Sequence, residues 1–459
     1  MAATATALDF TYKYAYPSEV GELDDGFGLQ LATCGAKHEQ PYFFHGTLRS
    51  PREMGEMLLV LSDVVRTHFF LPRPPMTDPV VTGSESMLRF EGFSGCCGVY
   101  ARVDLPAEAF DSEIQGRGTT NVDFNQPMRS ALARLRDHDD AKLAVGKEGV
   151  ELTKDDTRVV EKKVKLPIRW IKGFSEVQAY QPNMTIKLEA PAAEARKFIR
   201  SMPKSAAPKQ PSFVTMTGRA LRLSQREGRG AVKFAGTHRV KILEPLLSSA
   251  KSLRVWGDDE TGVTGWEVLL KSGRFFLMLS PEVYRGFSGE GQVLSQLASS
   301  QWQDALPRVQ AALEWQASLD ADTLSEDLNF PRGEVEAALA VLGARGLAGF
   351  DANRGAYFHR ELPFDLDRVE QLQPRLKNAR KLVEAGKLRV LAEAKGLASG
   401  EADIEVAGTD VMHTVRLRNT GDKCTCPWFS KYQGQRGPCK HILAARLLTD
   451  GEEGEGEEA

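Results

Sequence analysis

Four residues near the C-terminus constrain this chain most. Cys424 and Cys426 are separated by one residue, twelve residues follow, and Cys439 and His441 repeat the spacing. Three thiolates and one imidazole complete a tetrahedral zinc shell, and a sulfur-rich shell with no open position is structural rather than catalytic. The spacing also dictates local structure. A Cys-x-Cys pair fits a tight turn leaving a strand over 413–417. Pro438 is expected to start a helix whose first turn holds Cys439 and His441, with Ile442, Leu443 and Leu447 packing over the metal. Trp428 and Phe429 supply the rest of a core too small to stand alone, so this unit should unfold without its ion. A disulfide pairing is disfavoured, because six cysteines in 459 residues is sparse usage that suits a reducing, cytoplasmic setting.

Cys424-x-Cys426-Pro427-Trp428 followed by Cys439-Lys440-His441 resembles the SWIM zinc finger over about residues 411 to 448. All four ligand positions of that pattern are filled. The resemblance implies one structural zinc ion, and the family is linked to DNA binding and to protein contacts. The strings RFEGFSGCCGVYARVD, GRGTTNVDFN and KLPIRWIKGF are similar to those of long bacterial SWIM-containing proteins. Some of those work alongside AAA-type ATPases and von Willebrand A-type proteins, which implies an adaptor role.

The rest of the chain reads as a multidomain α+β protein. Met54, Met57, Leu58, Leu61 and Val65 form a helical stripe. Leu88 and Phe90, then Val99, Ala101 and Val103, alternate like half-buried strands, and Leu166, Ile168 and Trp170 alternate in the same way. Met128, Ala131, Leu132 and Leu135 return to helical spacing. An α+β region over 1–200 is followed by a proline-rich linker at 201–212 and a second α+β region over 213–318. A helix, a break at Asn329-Phe330-Pro331, a second helix and a hairpin over 347–359 then resemble a winged helix-turn-helix, placed at 319–366. The ββα-type zinc finger takes 402–449, and 450–459 is an acidic tail expected to be disordered. Gly-Phe-Ser at 92–94, 173–175 and 286–288 is set down to chance rather than to duplication.

Charge is unevenly distributed. The formal net charge is only −3, but the tail carries six acids and no base. Residues 411–448 hold seven Lys or Arg against Asp422, and residues 195–241 hold twelve against Glu227. Arg416, Arg418, Lys423, Lys431, Arg436 and Lys440 are therefore the candidate contacts to phosphate or to an acidic partner. The tail is a candidate competitor for that basic face. In the winged unit, Glu334 and Glu336 stand near the start of the second helix, where base contacts would normally be made, which favours a structural or protein-binding role there.

Several chemistries are disfavoured. There is no Walker A sequence and no Gly-x-Ser-x-Gly elbow. Cys34 and His38 lack a second ligand pair nearby. Cys96-Cys97 reads as small buried residues at a glycine turn. No apolar run is long enough for a membrane helix, and the N-terminus does not read as a signal peptide. A metal site assembled from distant carboxylates stays open. The expected function is non-catalytic binding of nucleic acid, DNA before RNA, by a cytoplasmic zinc protein without a small-molecule substrate. The alternative is a protein-interaction adaptor in an ATPase-linked assembly.

Overall fold

The computed structural model describes residues 19–23, 26–30 and 42–452, apart from 70–78, 156, 165, 204–210, 288–290, 292, 299–301, 314–317, 363–372, 394–400, 410 and 419. Cys34 and His38, most of the proline-rich linker, and the tail from 453 lie outside the described residues.

Strands β1 (Glu19–Leu23) and β2 (Gly26–Gln30) pair with each other. The body follows as β3 (Tyr42–Leu48), α1 (Pro51–Arg66), β4 (Val80–Gly83), β5 (Met87–Phe93), β6 (Val99–Pro106), β7 (Phe110–Gln115), β8 (Gly118–Asn121), α2 (Gln126–Ala133), β9 (Ala141–Gly146), β10 (Gly149–Lys154) and β11 (Thr157–Lys162). It continues through α3 (Ile168–Tyr180), β12 (Thr185–Pro191), α4 (Ala192–Ser201), β13 (Ser212–Thr217), β14 (Ala220–Ser224), β15 (Val232–Phe234), α5 (Thr237–Val240), β16 (Ser252–Gly257), β17 (Thr264–Leu269) and β18 (Arg274–Leu279). These strands make a five-stranded sheet, ordered β11-β10-β9-β3-β7, and an eight-stranded sheet, ordered β12-β16-β17-β18-β6-β5-β4-β8. A separate three-stranded ribbon has the order β14-β13-β15.

The stripe on α1 is buried as its periodicity requires: Met57, Leu61 and Val65 are fully enclosed. Each such side chain stabilises the fold by roughly 1.5–3 kcal/mol. Two other segments depart from what their sequence predicts. The alternation over 166–170 is not a strand but the entry to α3, which starts after Pro167. This helix is enclosed on nearly every side, from Trp170 to Tyr180, so it lacks the polar face that would reveal a 3.6-residue period. Strands β5 and β6 are not half-buried: their intervening residues Arg89, Glu91, Arg102 and Asp104 are as enclosed as the apolar ones.

Those polar residues meet the next unit. α6 (Val293–Ala298) and α7 (Leu306–Leu313) lead to α8 (Ala321–Leu328), α9 (Arg332–Ala344) and a hairpin of β19 (Ala348–Asp351) and β20 (Ala356–His359). The order helix, turn, helix, hairpin agrees with the sequence. Its orientation is inward, because α9 is buried from Ala338 to Ala344 and the hairpin puts Asp351 among three body arginines. Asp351 lies 2.9 Å from Arg89 and 3.3 Å from Arg102, and also bonds Arg274. Asp104 lies 2.8, 3.0 and 2.7 Å from the same three. Arg102 further donates to the Phe350 carbonyl at 2.7 Å. Burial opposes ionisation of Asp351, yet Arg102, Arg89 and Arg274 together hold its carboxyl well below the usual carboxylate range.

The first two Gly-Phe-Ser strings sit on a strand end and in α3, and Gly286 and Phe287 of the third lie in a turn, so their backbone contexts differ. Their phenylalanines nevertheless converge: Phe93 lies 5.0 Å from Phe174 and 6.4 Å from Phe287 between ring centroids. A Cβ added at Gly173 would come within 2.8 Å of the Phe93 ring, so the glycine permits this approach. Among the described residues no helix is long and apolar enough to cross a membrane.

Candidate metal centre and nucleic-acid interface

After α10 (Pro374–Glu384) the chain forms a four-stranded sheet, ordered β21 (Leu388–Glu393), β22 (Ala402–Ala407), β23 (Met412–Leu417), β24 (Lys423–Cys424). Two helices close it, α11 (Pro427–Tyr432) and α12 (Lys440–Glu452). Cys424 ends β24, and Cys426 immediately precedes α11. Cys439 precedes α12, and His441 lies in its first turn. The helix therefore begins one residue beyond Cys439. That cysteine acts as the cap, its Sγ accepting from the Ile442 N–H at 3.5 Å. The Sγ of Cys426 caps α11 in the same way, accepting from Phe429 at 3.4 Å, and Cys424 accepts from the Cys426 N–H at 3.4 Å. Each sulfur thus receives a backbone donor, which favours the thiolate form.

The four ligand atoms lie within 4.8 Å of one another, and all four residues are buried. A tetrahedral shell with Zn–S bonds of ~2.3 Å and a Zn–N bond of ~2.05 Å places a sulfur ~3.6 Å from the imidazole nitrogen, and Cys424 Sγ stands 3.9 Å from His441 Nδ1. His441 Nε2 is buried and has no hydrogen-bond partner among the described residues. The thiols also compete for charge. Hydrogen bonds from Cys424 and Cys439 hold Cys426 far below the usual thiol range. The bond to Cys426 pushes Cys424 up to about 11, and bonds to Cys424 and Cys426 raise Cys439 further. Three sulfurs this close need a cation to ionise together, which is what zinc supplies.

The model of the SWIM zinc finger family matches residues 413–447. The chain carries a SWIM zinc finger. Cys424, Cys426, Cys439 and His441 of this finger are consistent with one zinc ion. No curated protein matches the chain. Among solved structures, the crystal structure of Proliferating Cellular Nuclear Antigen from Entamoeba histolytica is similar at 11% identity and a TM-score of 0.36. The similarity covers 52% of this chain and 99% of that one. The PCNA2-PCNA3 complex from Sulfolobus tokodaii is similar at 10% identity and a TM-score of 0.38, with the same coverage.

The SWIM finger does not present its cations uniformly. Arg416 on β23 and Lys423 on β24 are directly paired in register, both exposed, and have no carboxylate partner among the described residues. Like charges placed opposite each other are unfavourable until an anion joins them. Arg418 is engaged internally, 2.6 Å from Asp403 and bonded to the carbonyls of Ala402 and Leu417. Lys431 stands 5.1 Å from the Tyr432 ring centroid, and Arg436 stands 4.2 Å from it with Glu282 at 3.6 Å. Lys440 is half-buried at the start of α12.

The basic segment 195–241 divides as well. Arg239 is fully buried, bonded to the carbonyls of Ala235, Gly98 and Ser280. Lys241 donates to the carbonyls of Ile199, Arg200 and Met202. Arg219, Arg222, Arg226, Arg229 and Lys233 are exposed on the β13–β15 ribbon, again without carboxylate partners among the described residues.

Three features of the finger were invisible to spacing. α11 was missed because six residues are too few for a period. The Arg375 guanidinium, 4.6 Å above Trp428, comes from another segment. So does the contribution of β21, which joins the finger's sheet from the charged stretch before it. The pair Cys96-Cys97 lies at a glycine turn as expected, but only Cys97 is buried, at a φ of 54°, while Cys96 is half-buried. Carboxylates from distant segments do converge, at Asp104, Asp351 and Glu267, but they are matched by three guanidinium groups.

Proposed function

We propose that this is a non-catalytic, zinc-dependent nucleic-acid-binding protein, with DNA as the expected polyanion. The observation that carries the reading is the in-register, exposed and unneutralised pair Arg416 and Lys423, held by a finger whose zinc fixes the strands beneath it. Lys431 and Lys440 extend the cationic surface, and the five exposed cations of the β13–β15 ribbon add a second one. Arg418 serves chiefly to hold the finger together. In this reading the helix-turn-helix-hairpin unit is structural, because its second helix and hairpin face the body. A protein-partner reading is favoured by exposed Val411 and Met412 at the start of β23.

A salt series separates the two. Duplex DNA bound by phosphate contacts loses affinity linearly in log salt with a slope of about −0.9 for each neutralised phosphate. The double substitution Arg416→Ala/Lys423→Ala should weaken binding and reduce that slope by about two. Absence of binding at low salt, or a flat slope, would move the assignment to a protein partner.

A further inference from the structure

The zinc finger and the body enclose a cleft of about 610 Å³, within the range of small-ligand sites. Its lining comes from three separate stretches of chain: Tyr284 and Arg285 from the turn after β18, Arg375 from α10, and Trp428, Arg436 and Lys440 from the finger. The zinc ligands Cys426, Cys439 and His441 lie along one wall. A zinc ion on three thiolates leaves one excess negative charge, against four lining cations and, among the described residues, no lining carboxylate. Glu282 lies 3.6 Å from Arg436.

The cations differ in what they do. Arg375 donates to the carbonyls of Arg436 and Pro438 at 3.0 and 2.6 Å, and Arg285 donates to that of Gln435 at 3.3 Å. These two fasten the finger's 435–438 loop against the body. Lys440 has no carboxylate partner among the described residues, and Arg436 is only half-buried. The aromatics differ too. Trp428 has Arg375 over one face and Tyr432 at 5.0 Å, so it serves as a wall. Tyr284 is 64% exposed, an unusual outlay of aromatic surface beside a cationic cleft.

We propose that this cleft takes one nucleotide unit, with its base stacked on Tyr284 and its phosphate held by Lys440 and Arg436. The inference rests on the nucleic-acid reading and deepens it, since a base can reach Tyr284 only when unpaired. The source is a nucleotide within a single strand or a free nucleotide, which share this chemistry.

The test uses the full zinc-loaded chain. Labelled oligothymidylate and a duplex of equal length are titrated against wild type, Tyr284→Ala and Tyr284→Phe. Stacking on one aromatic ring is worth about 1–3 kcal/mol per base, so the alanine variant should bind the single strand roughly 5- to 150-fold more weakly. The phenylalanine variant should keep its affinity, and duplex affinity should stay unchanged in both. Competition by thymidine monophosphate assigns the site to a free nucleotide, and its absence assigns it to a strand; either supports the cleft. An alanine variant that loses nothing, or loses single-strand and duplex affinity equally, overturns the inference while leaving the surface role of Arg416 and Lys423 intact. If wild type binds neither nucleic acid, the broader reading fails and equilibrium dialysis with thymidine monophosphate decides the cleft. Uptake abolished by Tyr284→Ala supports it, and no uptake overturns it.

Discussion

Two buried polar centres of the molecule are completed in opposite ways. In the body, Arg89, Arg102 and Arg274 meet Asp104, Asp351 and Glu267, so every cation has an anion supplied by the chain itself. In the finger, three sulfurs and an imidazole meet with no cation among them. The first centre forms when the chain folds. The second is complete only with an ion from outside. A body with two large sheets and extensive cores can carry a costly ionic cluster. The finger's core is a handful of residues around Ile404, Val415, Phe429 and Ile442, so its stability comes from the metal.

The largest expected effect follows from that asymmetry. Zinc binding by finger peptides supplies roughly 10–16 kcal/mol of folding free energy. Chelation, or Cys424→Ser, should release one zinc per chain and expose the amides of 402–449 to hydrogen exchange. The eight-stranded sheet should keep its protection. If the sheet opens together with the finger, the two centres are not independent and the comparison fails.

Asp351→Ala is the matching lesion in the body. It leaves three guanidinium groups facing Asp104 and Glu267, and breaking a buried ion pair in this way costs about 3–5 kcal/mol. Denaturant unfolding should show that loss, with zinc content unchanged. A loss below about 1 kcal/mol would mean that water or rearrangement already screens the cluster, and the hairpin would then be held mainly by Phe350 and Tyr357.

How much of this was legible in the sequence depends on how far apart the partners lie. The zinc ligands are two pairs with fixed spacing, and a metal shell allows few alternatives, so all four were found. The α1 stripe is legible because one face of that helix is polar. The entry to α3 mimics a strand because burial on all sides removes the helical period. The ionic cluster was hidden for a different reason: on β5 and β6 its residues occupy the positions where an ordinary strand faces water, and the partner Asp351 is some 250 residues away. The cations of 195–241 looked equivalent in the sequence. Only the fold separates buried Arg239, bonded to carbonyls, from exposed Arg222 and Lys233.

The smallest expected effect is an absence of change on mild acidification, and it distinguishes the two centres most sharply. For Asp351 and Asp104 burial raises the carboxyl pKa, but the arginines more than reverse this, so both sit below the ordinary value. Groups of that kind contribute stability that is present above the unfolded pKa of ~3.9 and is lost as pH falls through the lower folded values. Glu267 acts in the opposite direction, since burial raises its pKa, and its protonation in mild acid favours the folded state slightly. Docking of the hairpin over 348–359 should therefore persist from neutral pH down to about 4. Zinc must compete with protons for every thiolate, so its release should come first as pH falls. An acid titration following zinc release with a dye and hairpin protection by hydrogen exchange checks the order. Hairpin amides that open at or above the pH of zinc release would show that the arginines do not hold Asp351 ionised, and the body's centre would lose its claim to self-sufficiency.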